Sequence, residues 1–320
     1  MLDFYEIRKG SSMVFAVIVP IFLLLLSGYF SVKIDLLKKD QIQVLSLFVV
    51  KIALPALLFH ALSSKNFQDI WFPSYFAVYA GVTFFLYAIG VYIFRKFYRE
   101  NFTDASVLAM GGAMSNTGFI GTAILTLLIG ASQATTYISM ILIIESVMLV
   151  PTVLALAEAG LQKQAKLSDL IKNTIFTLLK NPIFLSVVLG MLCAMLQLHI
   201  PKNIDQVFML LGQTASPLAL FVIGAGLVGL SIQYVNIQSI LLVFLKNIVM
   251  PLLVFLGLSY LTNVSQEMVY AGTIIAALPM PTLFGILGQV YGLNEKSLTP
   301  LVISTVFGFM VISGLIAYWW

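Results

Sequence analysis

Two short stretches of this chain set backbone-breaking residues beside hydrogen-bonding side chains within otherwise apolar sequence. The first is Gly111-Gly112-Ala113-Met114-Ser115-Asn116-Thr117-Gly118-Phe119-Ile120-Gly121, and the second is Ala277-Leu278-Pro279-Met280-Pro281-Thr282-Leu283-Phe284-Gly285. Glycine is costly in a helix interior, and Asn or Thr favours caps. The two prolines remove two backbone donors and disfavour helical geometry before each ring. Each stretch therefore predicts a helix that stops and resumes. A resumed half-helix starts with free amides and the positive end of its dipole, about +0.5 charge. Two such ends suit a carboxylate, with Asn116, Thr117, Gly118, Pro279, Pro281 and Thr282 as the candidate substrate contacts. Glycine and proline also serve close packing and kinks in membrane helices. Breaks at matching places in two halves of a chain favour a binding role.

A second group comprises ionisable residues within apolar sequence. Lys51, Glu145 and Lys246 lie well inside such stretches, where burying a charge costs at least ~2.5 kcal/mol on insertion scales. Glu145 either forms an ion pair with Lys246 or binds and releases a proton during transport. Lys51 attracts the anion or lines a dimer or domain interface. His60 and His199 fall near the ends of apolar stretches, and His60 is expected to be passive. No Cys/His cluster suggests a metal. The His-Glu-x-x-His and Gly-x-Ser-x-Gly signatures are absent, so the chain offers an enzyme little and no cofactor is expected.

The elements that position these groups follow from composition. Of 320 residues, 60% are hydrophobic and 9% charged, against about 25% charged in a soluble domain. The expected class is an all-α integral membrane protein. About 20 apolar residues cross the hydrocarbon core as a helix, which gives ten candidate spans: 12–32, 42–63, 72–94, 105–129, 134–157, 182–198, 210–230, 239–261, 267–290 and 298–319. Pro20-Ile21-Phe22-Leu23 recurs as Pro182-Ile183-Phe184-Leu185, and Gly28 recurs as Gly190. The same shift carries Ala53, Pro55, Leu58 and Phe59 onto Ala215, Pro217, Leu220 and Phe221. Two five-span units are thus expected, 1–160 and 182–320, joined by a cytoplasmic linker at 161–181. An odd number of spans inverts the second unit, so the interrupted fourth and ninth spans would cross near the midplane. Arg8 and Lys9 before Met13–Leu26 imitate a signal peptide. The counterpart of Pro20–Gly28 deep in the chain makes a retained first span the better reading. Of the 17 Lys and Arg residues, four fall on the face of the N-terminus and eleven on the other. The second face is then cytoplasmic and both termini extracellular, with the loop around Gly130–Gln133 the weakest joint of this count. This bias accounts for the net charge of +4 without nucleic acid.

The run Asn116-Thr117-Gly118-Phe119-Ile120-Gly121 in a fourth span, a proline-broken ninth span and the five-plus-five plan resemble the auxin efflux carrier family. That family includes plant PIN-FORMED carriers and bacterial permeases for malate and malonate. The resemblance implies a scaffold domain from spans 1, 2, 6 and 7, a transport domain from spans 3–5 and 8–10, and a homodimer through the scaffold. It also implies that Asn116 matches the substrate-contacting asparagine and that Pro279 or Pro281 matches the crossover proline. Thr122-Ala123 stands where relatives often carry a proline, and the short linker favours a bacterial-type permease over a link to auxin. The expected function is a secondary transporter in the cell membrane, surrounded by lipid, for small organic anions such as malate or another dicarboxylate. A sodium- or proton-coupled symporter or antiporter of similar crossed-helix fold is the alternative. Channels need a continuous polar pathway, whereas polarity here is concentrated at two breaks.

Overall fold

The computed structural model describes residues 19–20, 22–63, 65–161, 179–180, 182–198, 200–226, 228, 235–261 and 263–319. Residues 12–18 of the first expected span, most of the 161–181 linker, His199 and both chain ends lie outside the described residues. All regular elements among the described residues are helices. In chain order they are α1 (Phe22–Lys33), α2 (Lys39–Ser63), α3 (Pro73–Lys96), α4 (Phe102–Ala113), α5 (Thr122–Ile129) and α6 (Ala131–Leu161). There follow α7 (Pro182–Leu196), α8 (Lys202–Gly226), α9 (Ile237–Ser259), α10 (Gln266–Ala277), α11 (Thr282–Val290) and α12 (Asn294–Trp319). A single helical turn, Phe67–Ile70, precedes α3. Eight segments are long and apolar enough to cross a membrane, counting α4–α5 and α10–α11 as one each, and α1 and α7 are shorter apolar helices.

Local chemistry sets the helix ends. Pro73 opens α3, where its missing N–H costs nothing. Asn101 and Asn236 cap α4 and α9 by accepting from Asp104 N and Ser239 N at 2.8 Å each, and Ser265 caps α10 through Met268 N at 3.2 Å. The joint at Gly130 is a one-residue corner between α5 and α6, with φ of +80°, a conformation open to glycine.

Three helices widen into π turns: Val49–Ala53 in α2, Ile143–Leu149 in α6 and Leu245–Val249 in α9. Each lies just before a proline, at Pro55, Pro151 and Pro251. A proline ring clashes with the carbonyl four residues earlier and supplies no N–H, and a wider turn absorbs both defects. These turns carry Lys51, Glu145 and Lys246 respectively. The three intramembrane charges thus sit where the backbone is already loosened.

Two glycines bring helices into close contact. A side chain at Gly28 would strike the carbonyl oxygen of Phe221, bringing α1 onto α8. At Gly190 a Cβ would lie 2.9 Å from Leu62 Cβ and 3.4 Å from the carbonyl oxygen of Phe59, bringing α7 onto α2. In sequence, Gly190 and Phe221 stand at the same offset from Gly28 and Phe59, and the two contacts join α1 to α8 and α7 to α2. Burial singles out the interrupted segments. Inside the protein lie 83% of the apolar window of Gln266–Gly288 and 67% of that of Phe102–Ile129, against 22% for α12. The broken helices are the centre of the fold.

Candidate functional site

Helix α4 ends at Ala113, and Met114 turns the chain extended (φ −119°, ψ 140°). The chain resumes as the π turn Thr117–Gly121 leading into α5, with Asn116 as the residue before it. The carbonyl of Asn116 accepts from Ile120 N and Gly121 N, both at 3.0 Å. Helix α10 ends at Ala277, Leu278 is again non-helical (φ −55°, ψ 152°), and α11 begins at Thr282. The two breaks touch: Asn116 N donates to the carbonyl of Pro279 at 2.9 Å. Ring packing tightens the junction, since a Cβ at Gly111 would lie 2.8 Å from the Phe284 ring and one at Gly308 3.1 Å from Pro279 Cγ.

Backbone groups freed by the breaks must find partners inside the protein, because hydrocarbon offers none. Glu145, fully buried in α6, accepts from Ser115 N through Oε1 at 2.9 Å. Lys246, fully buried in α9, donates to the carbonyl of Ala276. Its neighbour Asn247 donates through Nδ2 to the carbonyl of Ala277 at 3.1 Å. Ser304 on α12 donates to Asn247 Oδ1 at 2.7 Å and accepts from Met280 N at 3.1 Å. A carboxylate thus holds broken donors, while a cation and an amide hold carbonyls at the negative end of α10, where positive charge is favoured. Among the described residues no salt bridge joins Glu145 to Lys246. Each serves a different break.

Several expected site residues meet here and others do not. Asn116 and Thr117 are buried, at 7% and 1% exposure. Gly118 is half-buried against Leu54, 3.4 Å from where its Cβ would be. Pro279 and Pro281 are buried, whereas Thr282 is exposed. The side chain of Asn116 makes no capping bond, and its amide has no partner among the described residues. Lys51 lies apart, exposed on the outer side of α2. His60 is engaged: its Nδ1 lies 2.6 Å from Asp205 Oδ1 on α8. Sequence reading missed Asn247, Ser304 and Asp205. A polar Asn-Lys pair inside an apolar span was the available signal for the first.

Between α1, α2 and α8 on one side and the far end of α5 on the other lies a cavity of about 370 Å³. Leu57, His60, Thr126, Leu127, Gln213 and Ser216 are among its walls. The Thr126 hydroxyl is buried there without a partner. Ser216 Oγ reaches across to the carbonyl of Thr122 at 3.5 Å. Just past the end of α2, Lys65 Nζ donates to the carbonyl of Ser132 and to Thr136 Oγ1 on α6, both at 2.8 Å.

The chain is similar to the "Putative malonate transporter" of Rhizobium meliloti (strain 1021), with 25% identity over 304 residues covering 93% of each chain. It is also similar to "Uncharacterized transporter YfdV" of Escherichia coli (strain K12), with 29% identity over 314 residues, 94% of this chain and 96% of that one. A family model described as "Membrane transport protein" matches residues 13–317. With nearly the whole chain matched, the protein is a multi-pass membrane transporter rather than an enzyme, and it belongs to this membrane transport protein family, the PIN-like group that its Asn116–Gly121 motif resembles.

Proposed function

We propose that this chain is a permease for small organic anions, a dicarboxylate such as malonate or malate, working by alternating access. The observation that carries this reading is the bond from Asn116 N to the carbonyl of Pro279 at 2.9 Å, which brings both broken helices to one point and leaves the Asn116 amide unengaged. The resumed ends at Thr117 and Thr282 present free amides and positive dipole ends to an anion. The name of the R. meliloti relative supports malonate as the first substrate to try.

The architecture proposed is ten spans in two inverted five-span repeats, with α4–α5 and α10–α11 as spans four and nine crossing near the midplane. The exchanged contacts of Gly28 with Phe221 and of Gly190 with Phe59 support it, since a two-fold pseudo-axis produces such pairs. The division into domains would set α1, α2, α7 and α8 as scaffold against α3–α6 and α9–α12 as transport body. The cavity of about 370 Å³ on the seam is the proposed approach to the crossover. Alternation then requires the contacts of Lys65 and Ser216 across that seam to break and re-form. A homodimer through the scaffold, with Lys51 on its outer face, both termini extracellular and the linker at 161–181 cytoplasmic, completes the proposal. The test is uptake of labelled malonate into proteoliposomes, challenged by a panel of mono- and dicarboxylates. Saturable uptake competed by dicarboxylates is expected, and no uptake of any carboxylate would refute the reading.

A further inference from the structure

The pair of His60 and Asp205 stands between two cavities. His60, on α2, is in the wall of the cavity of about 370 Å³, together with Thr126, Gln213 and Ser216. Asp205, on α8, is in the wall of another of about 360 Å³, together with Ser63, Lys65 and Cys193. Their side chains keep 25% and 34% exposure, so each still reaches open space while Nδ1 and Oδ1 lie 2.6 Å apart. An ionised carboxylate only accepts, so the imidazole donates. The contact displays what this histidine binds, a carboxylate presented at Nδ1. Asp205 has other positive charge around it: Lys65 lines its cavity, and Lys202 lies one turn earlier on α8. On the His60 side, the described walls hold no Asp, Glu, Lys or Arg and are mainly apolar, with Leu57 and Leu220 among them. The Thr126 hydroxyl is buried there without a partner. A mostly apolar cavity of this size with a few convergent polar groups is the usual form of a small-molecule site.

We propose that this cavity binds a small carboxylate, with His60 as the group that grips it and Asp205 as a built-in competitor for the same imidazole. The ligand's carboxylate takes His60 Nδ1 in exchange for that of Asp205, which turns towards Lys65 and Lys202. One carboxylate replaces another, so the imidazole stays paired throughout and no buried donor is orphaned. The Thr126 hydroxyl and the Gln213 amide in the same walls can meet a second polar end, which suits a short dicarboxylate. Because only the fraction of molecules with His60 released is competent to bind, the pairing lowers the apparent affinity by that fraction. As a station on the path to the crossover the site rests on the transport reading; as a carboxylate site it does not.

The chain has two histidines, so the imidazole resonances of the purified, nitrogen-15-labelled full-length protein report on His60 once His199→Gln has assigned them. Sodium malonate is titrated against sodium chloride at matched ionic strength. A saturable shift of the His60 resonance specific to malonate is expected in the wild type. In Asp205→Asn, where the competitor has lost its charge, the same shift should come at roughly tenfold less malonate; in the near-isosteric Thr126→Val it should need more. A pair that merely braces α2 on α8 predicts the opposite sign for Asp205→Asn, a weakened response. That result overturns the proposal, as does a His60 resonance indifferent to malonate in both the wild type and Asp205→Asn. Malonate uptake by the wild type is scored separately. Uptake with an indifferent His60 overturns the site and leaves the transport reading standing, whereas a malonate-specific shift without uptake of any carboxylate does the reverse.

Discussion

Truncating Asn116 to alanine should separate function from stability. In the structure, Asn116 holds the crossover through its backbone: its N–H donates to Pro279 O at 2.9 Å, and its carbonyl accepts from Ile120 N and Gly121 N at 3.0 Å. None of those bonds involves the side chain, and the amide caps nothing. Asn116→Ala removes a few atoms with no protein partner and orphans no hydrogen-bonding group, so the change in stability should stay below the roughly 1–3 kcal/mol that an unsatisfied buried partner would cost. The function lost is different in size. If the amide donates to a bound carboxylate, a hydrogen bond to a charged group is worth about 1.5–3 kcal/mol, which converts to roughly a tenfold to 150-fold loss of affinity. Malonate binding by calorimetry and uptake into proteoliposomes read the second quantity, and melting temperature in detergent reads the first. A variant that unfolds would show that the side chain supports the break. A folded variant with full uptake would remove Asn116 from the substrate site.

Asn247→Leu should act in the opposite sense, leaving the Ala277 carbonyl without its amide donor and Ser304 without its acceptor. A loss of about 1–3 kcal/mol per orphaned group is expected, read as a lower melting temperature with or without substrate. Gly28→Ala and Gly190→Ala should both destabilise by at least the 1–3 kcal/mol typical of overpacking. The effect should be larger at Gly28, where the clash is with the Phe221 backbone carbonyl rather than with the Leu62 side chain; thermal unfolding checks the order. Lys65→Ala removes two 2.8 Å bonds from the end of α2 to α6 that the proposed alternating access would have to break, and should then change the rate of exchange between inward and outward states more than it changes substrate affinity. Measuring the maximal uptake rate and half-saturating concentration on the same preparation distinguishes the two.

Much of the fold was legible because membrane helices announce themselves through apolar length. The two breaks were legible because glycine, asparagine and proline have few other reasons to cluster inside such lengths. The joint at Gly130 was the weakest point of the sequence reading, since a corner of one residue leaves almost no polar signal between α5 and α6. The pairing of charges was misleading for a physical reason. Opposite charges within apolar sequence invite an ion pair, but sequence does not display free backbone groups, and each break creates its own. Glu145 is drawn to a broken donor and Lys246 to a broken carbonyl. Their helices were visible, but their partners depended on which backbone atoms the breaks expose.

That arrangement bears on how such a protein could move. Every hydrogen bond described at the crossover joins α3–α6 to α9–α12 or lies within them, from Tyr79 and Glu145 to Asn247 and Ser304. The ends of this set are tied as well. Lys296 grips both oxygens of Glu100 at 2.7 and 2.8 Å, Gln238 joins the same carboxylate at 3.0 Å, and Tyr137 donates to Glu267 at 2.8 Å. Towards α1, α2, α7 and α8, the contacts among the described residues include apolar faces such as Phe22 on Phe309, the bond of Ser216 to Thr122 and the reach of Lys65. Displacing one set against the other therefore leaves the costly satisfaction of the broken backbones untouched and exchanges mainly apolar contacts, which are non-directional. An anion bound at the crossover would travel with the body that holds it. The cavity between α1, α2 and α8 and the far end of α5 lies where the proposed division sets the two bodies against each other.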